Sequence, residues 1–112
     1  MYVSGSIGAA GLALASGTSA IFYSIINLAK SGDEIVSANN LYGGTYTMFD
    51  AILPQFGIHT RFVDPRDPQN FEPAITERTR AVVVINPNNP TGAVYPREVL
   101  EGIARMAERR HL

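Results

Sequence analysis

Short runs of apolar residues recur along the chain and are separated by turn residues, a pattern that predicts buried β-strands. The predicted strands are residues 11–15, 34–38, 59–63 and 80–85. The last run is apolar throughout after Arg80. Such a run is typical of a parallel strand that is covered by helices on both faces.

Between these runs, the apolar residues follow the spacing of amphipathic helices. The predicted helices are residues 19–30, 45–53, a short stretch near 71–75, and 96–110. The expected buried positions of the second helix are Tyr46, Phe49, Ile52 and Leu53, with Met48 beside them. Those of the last helix are Val99, Leu100, Ile103, Met106 and Ala107. Gly32 is expected to end the first helix, and Pro54 with Gly57 the second.

The alternation of strands and helices predicts an α/β fold with an open, mainly parallel sheet and helices on both faces. Residues 1–112 are expected to form one domain without an internal repeat. In such sheets, ligands bind beyond the carboxyl ends of the strands. The loops at residues 15–20, 41–46 and 86–92 are all predicted to lie there.

The composition and charge of the chain argue against nucleic acid, membrane and metal as binding partners. A net charge of −1 with interspersed Arg and Glu argues against nucleic-acid binding. The longest apolar stretch, residues 7–15, is too short to span a bilayer, and it lacks the basic leader of a signal peptide, so a cytoplasmic location is expected. The chain has no Cys and two distant His, which disfavours a metal site.

The first loop, Ser16-Gly17-Thr18-Ser19, lies where a strand is predicted to lead into a helix. Free backbone N–H groups and the positive end of the helix dipole favour a phosphate at such a position, and Gly17 allows close approach. The alternative interpretation is an ordinary helix cap made by Ser or Thr.

The second loop places Tyr42 directly before Gly43-Gly44. A planar side chain in this position could stack on the face of a bound aromatic ring. The alternative is that Tyr42 packs against a neighbouring element while the two glycines turn the chain. Tyr46, in contrast, is expected in the core.

The third loop holds Asn89 between Asn88 and Pro90. The proline restrains the backbone of Asn89, so that its amide can be held at a fixed angle towards a phenolic oxygen. Alternatively, Asn86, Asn88 and Asn89 form Asx turns before the next helix.

The remaining titratable side chains offer little catalytic chemistry. Lys30 is the only lysine, and it is expected at the exposed end of the first helix, away from the three loops. His59 and His111 are interpreted as surface or strand residues, since no partner is near them in the sequence.

Several motifs together resemble a known family. Residues 12–84, chiefly through the stretches 12–20, 32–36, 40–46 and 62–65, are similar to the Cys/Met-metabolism branch of the fold-type I pyridoxal-phosphate (PLP) enzymes, and most closely to its O-acetylhomoserine sulfhydrylases. Residues 85–112, chiefly through the stretch 85–95, instead resemble class I aminotransferases of the alanine type. A chimera joined within a strand is therefore a further interpretation.

The resemblance implies PLP as cofactor, with Gly17 and Thr18 beside Ser16 at its phosphate, Tyr42 on its ring and Asn89 at its ring hydroxyl. It implies a sulfhydrylase reaction on O-acetylhomoserine, or transamination for the aminotransferase alternative. The family's cofactor-binding lysine and pyridinium-pairing aspartate motifs are not found in this sequence. Residues 1–112 are therefore expected to be an incomplete PLP-binding domain that is inactive alone. A homo-oligomer is also expected. A non-catalytic phosphate-binding module and a purely structural module are the alternatives.

Overall fold

The computed structural model describes residues 14–41, 43–85 and 94–112. In chain order, the helices and strands of these residues are α1 (Gly17–Leu28), β1 (Glu34–Ala38), α2 (Gly43–Thr47), β2 (His59–Val63), β3 (Thr79–Val83) and α3 (Arg97–Arg109). A π-helical turn at Met48–Ile52 and a 3₁₀ turn at Leu53–Phe56 follow α2 directly. Two further 3₁₀ turns, Pro68–Asn70 and Glu72–Ala74, lie between β2 and β3.

Strand β1 lies at the centre of the sheet, because the strand order over the described residues is β2-β1-β3. Both pairings are parallel. Glu34, the first residue of β1, lies opposite His59 on one side and Thr79 on the other. The predicted α/β class with a parallel sheet is confirmed.

The predicted strands at 34–38 and 59–63 have the bounds of β1 and β2. Strand β3 begins one residue before the predicted Arg80 and ends at Val83 instead of Ile85. The strand predicted at 11–15 lies mostly outside the described residues, and its described part, Leu14 and Ala15, is not in a strand.

One face of the sheet packs against α1 and the helical segment that begins with α2. Ile35 of β1 contributes to this first core, with Ala81 and Val83 of β3 partly buried against it. The buried helical and turn residues of this core are Ile25, Ala29, Met48, Phe49, Leu53 and Ile58.

The opposite face packs against α3 and the 3₁₀ turns. Val36, the next residue of β1, contributes to this second core, with Val82 of β3 packed against it. Phe71, Ile103 and Met106 complete the buried set. Because neighbouring residues of a strand point to opposite faces, β1 contributes to both cores and is buried almost along its whole length.

The second helical segment differs from its prediction. It begins at Gly43 instead of Thr45 and continues past Pro54 to Phe56. Tyr46 is 42% exposed and Ile52 is 40% exposed, so their predicted burial is wrong. The buried residues are Thr45, Met48, Phe49 and Leu53. The extra residue of the π turn places Leu53, and not Ile52, on the buried side. The Tyr46 ring stacks on Phe62, with ring centroids 4.8 Å apart.

The π turn can be related to Pro54. The backbone N–H of Leu53 donates to the Met48 carbonyl, five residues back. The next donor along the chain would belong to Pro54, which has no N–H, so the Phe49 carbonyl lacks a helical partner. The hydroxyl of Thr60 on β2 donates to that carbonyl at 3.3 Å. The Thr60 hydroxyl of β2 thus supplies the hydrogen bond that Pro54, near the start of the 3₁₀ turn, cannot donate.

The helix predicted near 71–75 is replaced by the two separate 3₁₀ turns. The first turn begins at Pro68, and Pro73 is the second residue of the other. Because Pro73 has no N–H, it cannot donate the hydrogen bond that would continue the first turn into the second. Phe71 between them is fully buried. Asp67 caps the first turn by accepting from the N–H of Gln69 at 2.9 Å.

Helix α3 lies within the predicted range of 96–110. Its inward residues Ile103 and Met106 are buried, as expected. On the outward face, Glu101 accepts from Arg97 at 2.7 Å and lies 3.9 Å from Arg105. Arg109 and Arg110 at the end of the helix bind Glu72 of the second 3₁₀ turn.

None of the helices in the described part of the chain is long and apolar enough to cross a membrane.

We expect Phe49→Ala to lower the free energy of unfolding by about 3–5 kcal/mol, because the ring is fully buried in the first core and its removal leaves a cavity. Phe56→Ala is the matched control, since Phe56 is 51% exposed. Urea unfolding of both variants measures the difference. Equal losses for the two variants would contradict the assignment of Phe49 to the core.

We expect Thr60→Val to lower the free energy of unfolding by about 1–2 kcal/mol, because it leaves the Phe49 carbonyl without a donor. Thr60→Ser keeps a hydroxyl and should retain more of the stability. The same urea titration compares them. A Val variant at least as stable as the Ser variant would show that the hydroxyl does not support the π turn.

Candidate functional site

The amino-terminal end of α1 has the arrangement expected of an anion-binding position. Ser16 precedes the helix in an extended conformation, with φ −154° and ψ 161°. Its Oγ accepts from the backbone N–H of Ser19 at 3.1 Å, and its carbonyl accepts from the N–H of Ala20 at 3.0 Å. Ser16 is thus a helix cap, and its side chain is occupied in that role.

The backbone N–H groups of Gly17 and Thr18 are not bound by the Ser16 side chain and remain as donors. The first N–H groups of an α-helix have no carbonyl partner within the helix, and the Ser16 side chain satisfies only that of Ser19. Both residues are exposed. The first turn contains no acidic side chain that would neutralise the helix dipole. Two outward N–H groups at a positive helix end can bind a phosphate.

The orientation of α1 places this end near the carboxyl ends of the strands. Helix α1 packs on the first core, and only residues 29–33 join its last residue to β1. A helix that packs along the sheet and enters the next strand through so short a connection runs antiparallel to it. Its 12 residues extend about 18 Å, comparable to the length of a strand.

The loop that follows β1 starts at the carboxyl ends of the strands and makes hydrogen bonds with two other segments. The backbone N–H of Asn39 donates to the carbonyl of Val63, the last residue of β2, at 2.9 Å. The hydroxyl of Tyr95 donates to Oδ1 of Asn40 at 3.0 Å. Tyr42, the predicted ring-stacking residue, lies outside the described residues.

The chain that follows β3 leaves the sheet beside this loop, because β1 and β3 are parallel neighbours. Asn89, the predicted amide donor, also lies outside the described residues. The chain is described again from Val94, and Tyr95 contacts the β1 loop two residues before α3 begins. Asn40 of the β1 loop and Tyr95 before α3 are therefore in contact, and each follows one of two parallel neighbouring strands.

The pair formed by Asn40 and Tyr95 was not singled out from the sequence. Each is a single polar residue in a longer motif, and 55 positions separate them. The available signal was the parallel pairing of the two strands, which brings the loops after them to one edge.

The titratable groups near the sheet are engaged in ion pairs. Asp64 directly follows β2, and hydrogen bonds from Arg66 lower its pKa to about 2. It is therefore an ionised, paired carboxylate near neutral pH. At the opposite edge, the hydrogen bond from Arg61, and then that from Thr76, lowers the pKa of Glu34.

Lys30 lies beyond the other end of α1, where it is exposed, as predicted. Its backbone N–H donates to Oδ2 of Asp33 at 2.8 Å. The length of α1 keeps it about 18 Å or more from Gly17. His59 and His111 are exposed as well, in agreement with their interpretation as surface residues.

Comparison with known proteins gives a consistent result. Residues 6–110 match the family model described as "Cys/Met metabolism PLP-dependent enzyme". Homocysteine synthase of Schizosaccharomyces pombe is 46% identical over 100 residues, which are 89% of this chain and 23% of that protein. This chain therefore spans about a quarter of the length of that relative.

Two solved structures are similar in fold and in sequence. An O-acetylhomoserine sulfhydrylase of Wolinella succinogenes superposes with a TM-score of 0.80 at 34% identity, covering 88% of this chain and 27% of the other. A putative O-acetylhomoserine (thiol)-lyase of Campylobacter jejuni superposes with a TM-score of 0.74 at 39% identity, covering 82% and 23%. The second structure contains a pyridoxyl-lysine phosphate.

We expect Ser16→Ala to lower the free energy of unfolding by about 1 kcal/mol, because it removes the side-chain cap of α1. Ser16→Asp should retain the stability, since Asp also accepts from the N–H of Ser19 and suits the helix dipole. Thermal unfolding followed by circular dichroism at 222 nm compares the variants. Loss of the same stability in both would show that Ser16 does not act through its cap.

Proposed function

The chain belongs to the Cys/Met metabolism family of PLP-dependent enzymes, and we propose that it forms the part of such an enzyme that holds the cofactor's phosphate and ring. The family fixes the cofactor as pyridoxal phosphate. The observation that carries the proposal is the start of α1, where the N–H groups of Gly17 and Thr18 are left over by the cap.

The described residues fit a phosphate group. Ser16 keeps the first turn ordered through its bond to Ser19, and the N–H groups of Gly17 and Thr18 would donate to phosphate oxygens. Hydrogen bonds from backbone N–H to an anion are stronger than those between neutral groups. Gly17 and Thr18 are exposed, so that a ligand can reach them.

We further propose that Tyr42 stacks on the pyridine ring and that Asn89 donates to the ring hydroxyl. The support is that Tyr42 follows Asn40 in the β1 loop, and that Asn89 belongs to the chain between β3 and Tyr95. The Asn40–Tyr95 bond joins residues that flank these two stretches. Stacking would hold the ring in place, and the Asn89 amide would stabilise an anionic oxygen.

The reaction that we propose for the complete enzyme is the replacement of the acetate group of O-acetylhomoserine by sulfide. The support is the similarity to O-acetylhomoserine sulfhydrylases and a homocysteine synthase. When bound, the cofactor supplies the electron withdrawal that activates an amino acid substrate. The residues of this chain would hold and orient it for that chemistry.

For these 112 residues alone we propose cofactor binding without turnover. The single lysine, Lys30, lies beyond the far end of α1 from the phosphate position. It is therefore badly placed to bind the cofactor covalently, and the charged side chains at the edges of the sheet are engaged with one another. Homo-oligomerisation stays a prediction.

The aminotransferase alternative and the chimera also stay predictions. The family match continues through residue 110 and so includes most of the aminotransferase-like stretch. The similar protein of Wolinella succinogenes is an O-acetylhomoserine sulfhydrylase that catalyses sulfur transfer, which favours the sulfhydrylase reaction.

Binding can be tested with pyridoxine 5′-phosphate, which has the ring and the phosphate but no aldehyde to react with amines. We expect the chain to bind it by isothermal titration calorimetry and inorganic phosphate to compete. Gly17→Pro should weaken binding at least about tenfold, because it removes one N–H donor to an anion. Proline is tolerated at this first helical position, since Ser16 is extended.

Arg97→Pro is the matched control. It places proline at the first position of α3, after an extended Pro96 with ψ 143°, and it should leave binding unchanged. If the wild-type chain shows no phosphate-sensitive binding, or if Gly17→Pro binds as tightly as the wild type, the proposed phosphate site is wrong.

A further inference from the structure

Asn39 and Asn40, which precede Tyr42 by three and two residues, are bound to two different segments of the chain. Asn39 is bound through its backbone to the end of β2 at 2.9 Å. Asn40 is bound through its side chain to Tyr95, which lies between β3 and α3, at 3.0 Å. Helix α2 starts at Gly43, so the chain is also fixed directly after Tyr42. The loop after β1 is therefore tied to the end of β2 and to the segment that precedes α3.

The bond between Tyr95 and Asn40 differs from the other contact because it is made by two side chains. The Asn39 contact uses backbone atoms and would form with any residue other than proline. The Tyr95 contact needs a hydroxyl and an acceptor at these two positions. It joins the two loops that carry the residues proposed to face the cofactor ring.

We propose that Asn40 and Tyr95 are positioning residues that hold the β1 loop against the segment before α3, and thereby influence the orientation of the cofactor ring that Tyr42 and Asn89 are proposed to contact. This inference rests on the proposed function. Neither side chain acts on the substrate. Each works through the loop that it holds.

The positioning role predicts a specific effect of removing one oxygen atom. Tyr95→Phe keeps the aromatic ring but cannot donate to Asn40. We expect it to weaken the binding of pyridoxine 5′-phosphate about three- to tenfold, the range for one neutral hydrogen bond. The induced circular dichroism per bound ligand should also change, because it reports the orientation of the ring and not the amount bound.

A double-mutant cycle tests whether the two side chains act together. Asn40→Ala should give a similar loss of affinity, and the Asn40→Ala, Tyr95→Phe double variant should lose no more than the single variants do. Tyr23→Phe is the control: it removes a hydroxyl from an exposed tyrosine of α1 and should bind like the wild type with the same dichroism. Far-ultraviolet circular dichroism monitors the fold of each variant.

The outcomes separate the two proposals. If the wild-type chain binds, Gly17→Pro does not, and Tyr95→Phe matches the wild type in affinity and in dichroism per bound ligand, the positioning role is wrong and the phosphate site stands. Additive losses in the double variant would also contradict it. If the wild-type chain shows no phosphate-sensitive binding, the proposed function fails and the positioning role fails with it.

Discussion

Parallel pairing of β1 with a neighbour on each side is the constraint on which the rest of the structure depends. Because β1 is the central strand, helices must cover both of its faces, and its consecutive residues Ile35 and Val36 belong to different cores. The same pairing brings the chain after β1 and the chain after β3 to one edge. The sheet thus determines both the layered packing and the position of the candidate site.

Within residues 14–41, 43–85 and 94–112, the candidate site consists of unused backbone groups and a contact between loops. At the start of α1, Ser16 satisfies one helical N–H and leaves two. After β1, the side chain of Asn40 accepts a hydrogen bond from Tyr95, which lies in the segment before α3. Such an arrangement suits holding a cofactor that carries its own reactivity. The match to a family of PLP-dependent enzymes is consistent with a role in holding such a cofactor.

The sequence predicted the strands better than the helical segments, for physical reasons. Strands 34–38 and 59–63 are bounded by turns at Gly32, Gly57 and Asp64, so their limits were encoded locally. At the π turn of Met48–Ile52, the Phe49 carbonyl is bound by Thr60 of another element, and local periodicity does not predict that contact. The π turn also explains why Ile52 was wrongly predicted to be buried. At the site, the cap by Ser16 was predictable from local residue types. The Asn40–Tyr95 bond was not, because it requires knowing which strands pair.

The sheet order also affects how the chain can fold during its synthesis. Helix α1 is made first, but part of the surface that it covers belongs to Ala81 and Val83 of β3, which are made much later. Likewise, β1 has only one pairing partner until β3 follows. The apolar face of α1 and one edge of β1 are therefore exposed on the ribosome while the intervening residues are translated, a situation in which transiently exposed surfaces are prone to aggregate. A central strand that is synthesised before both of its neighbours thus makes the growing chain dependent on timely completion or on protection by chaperones.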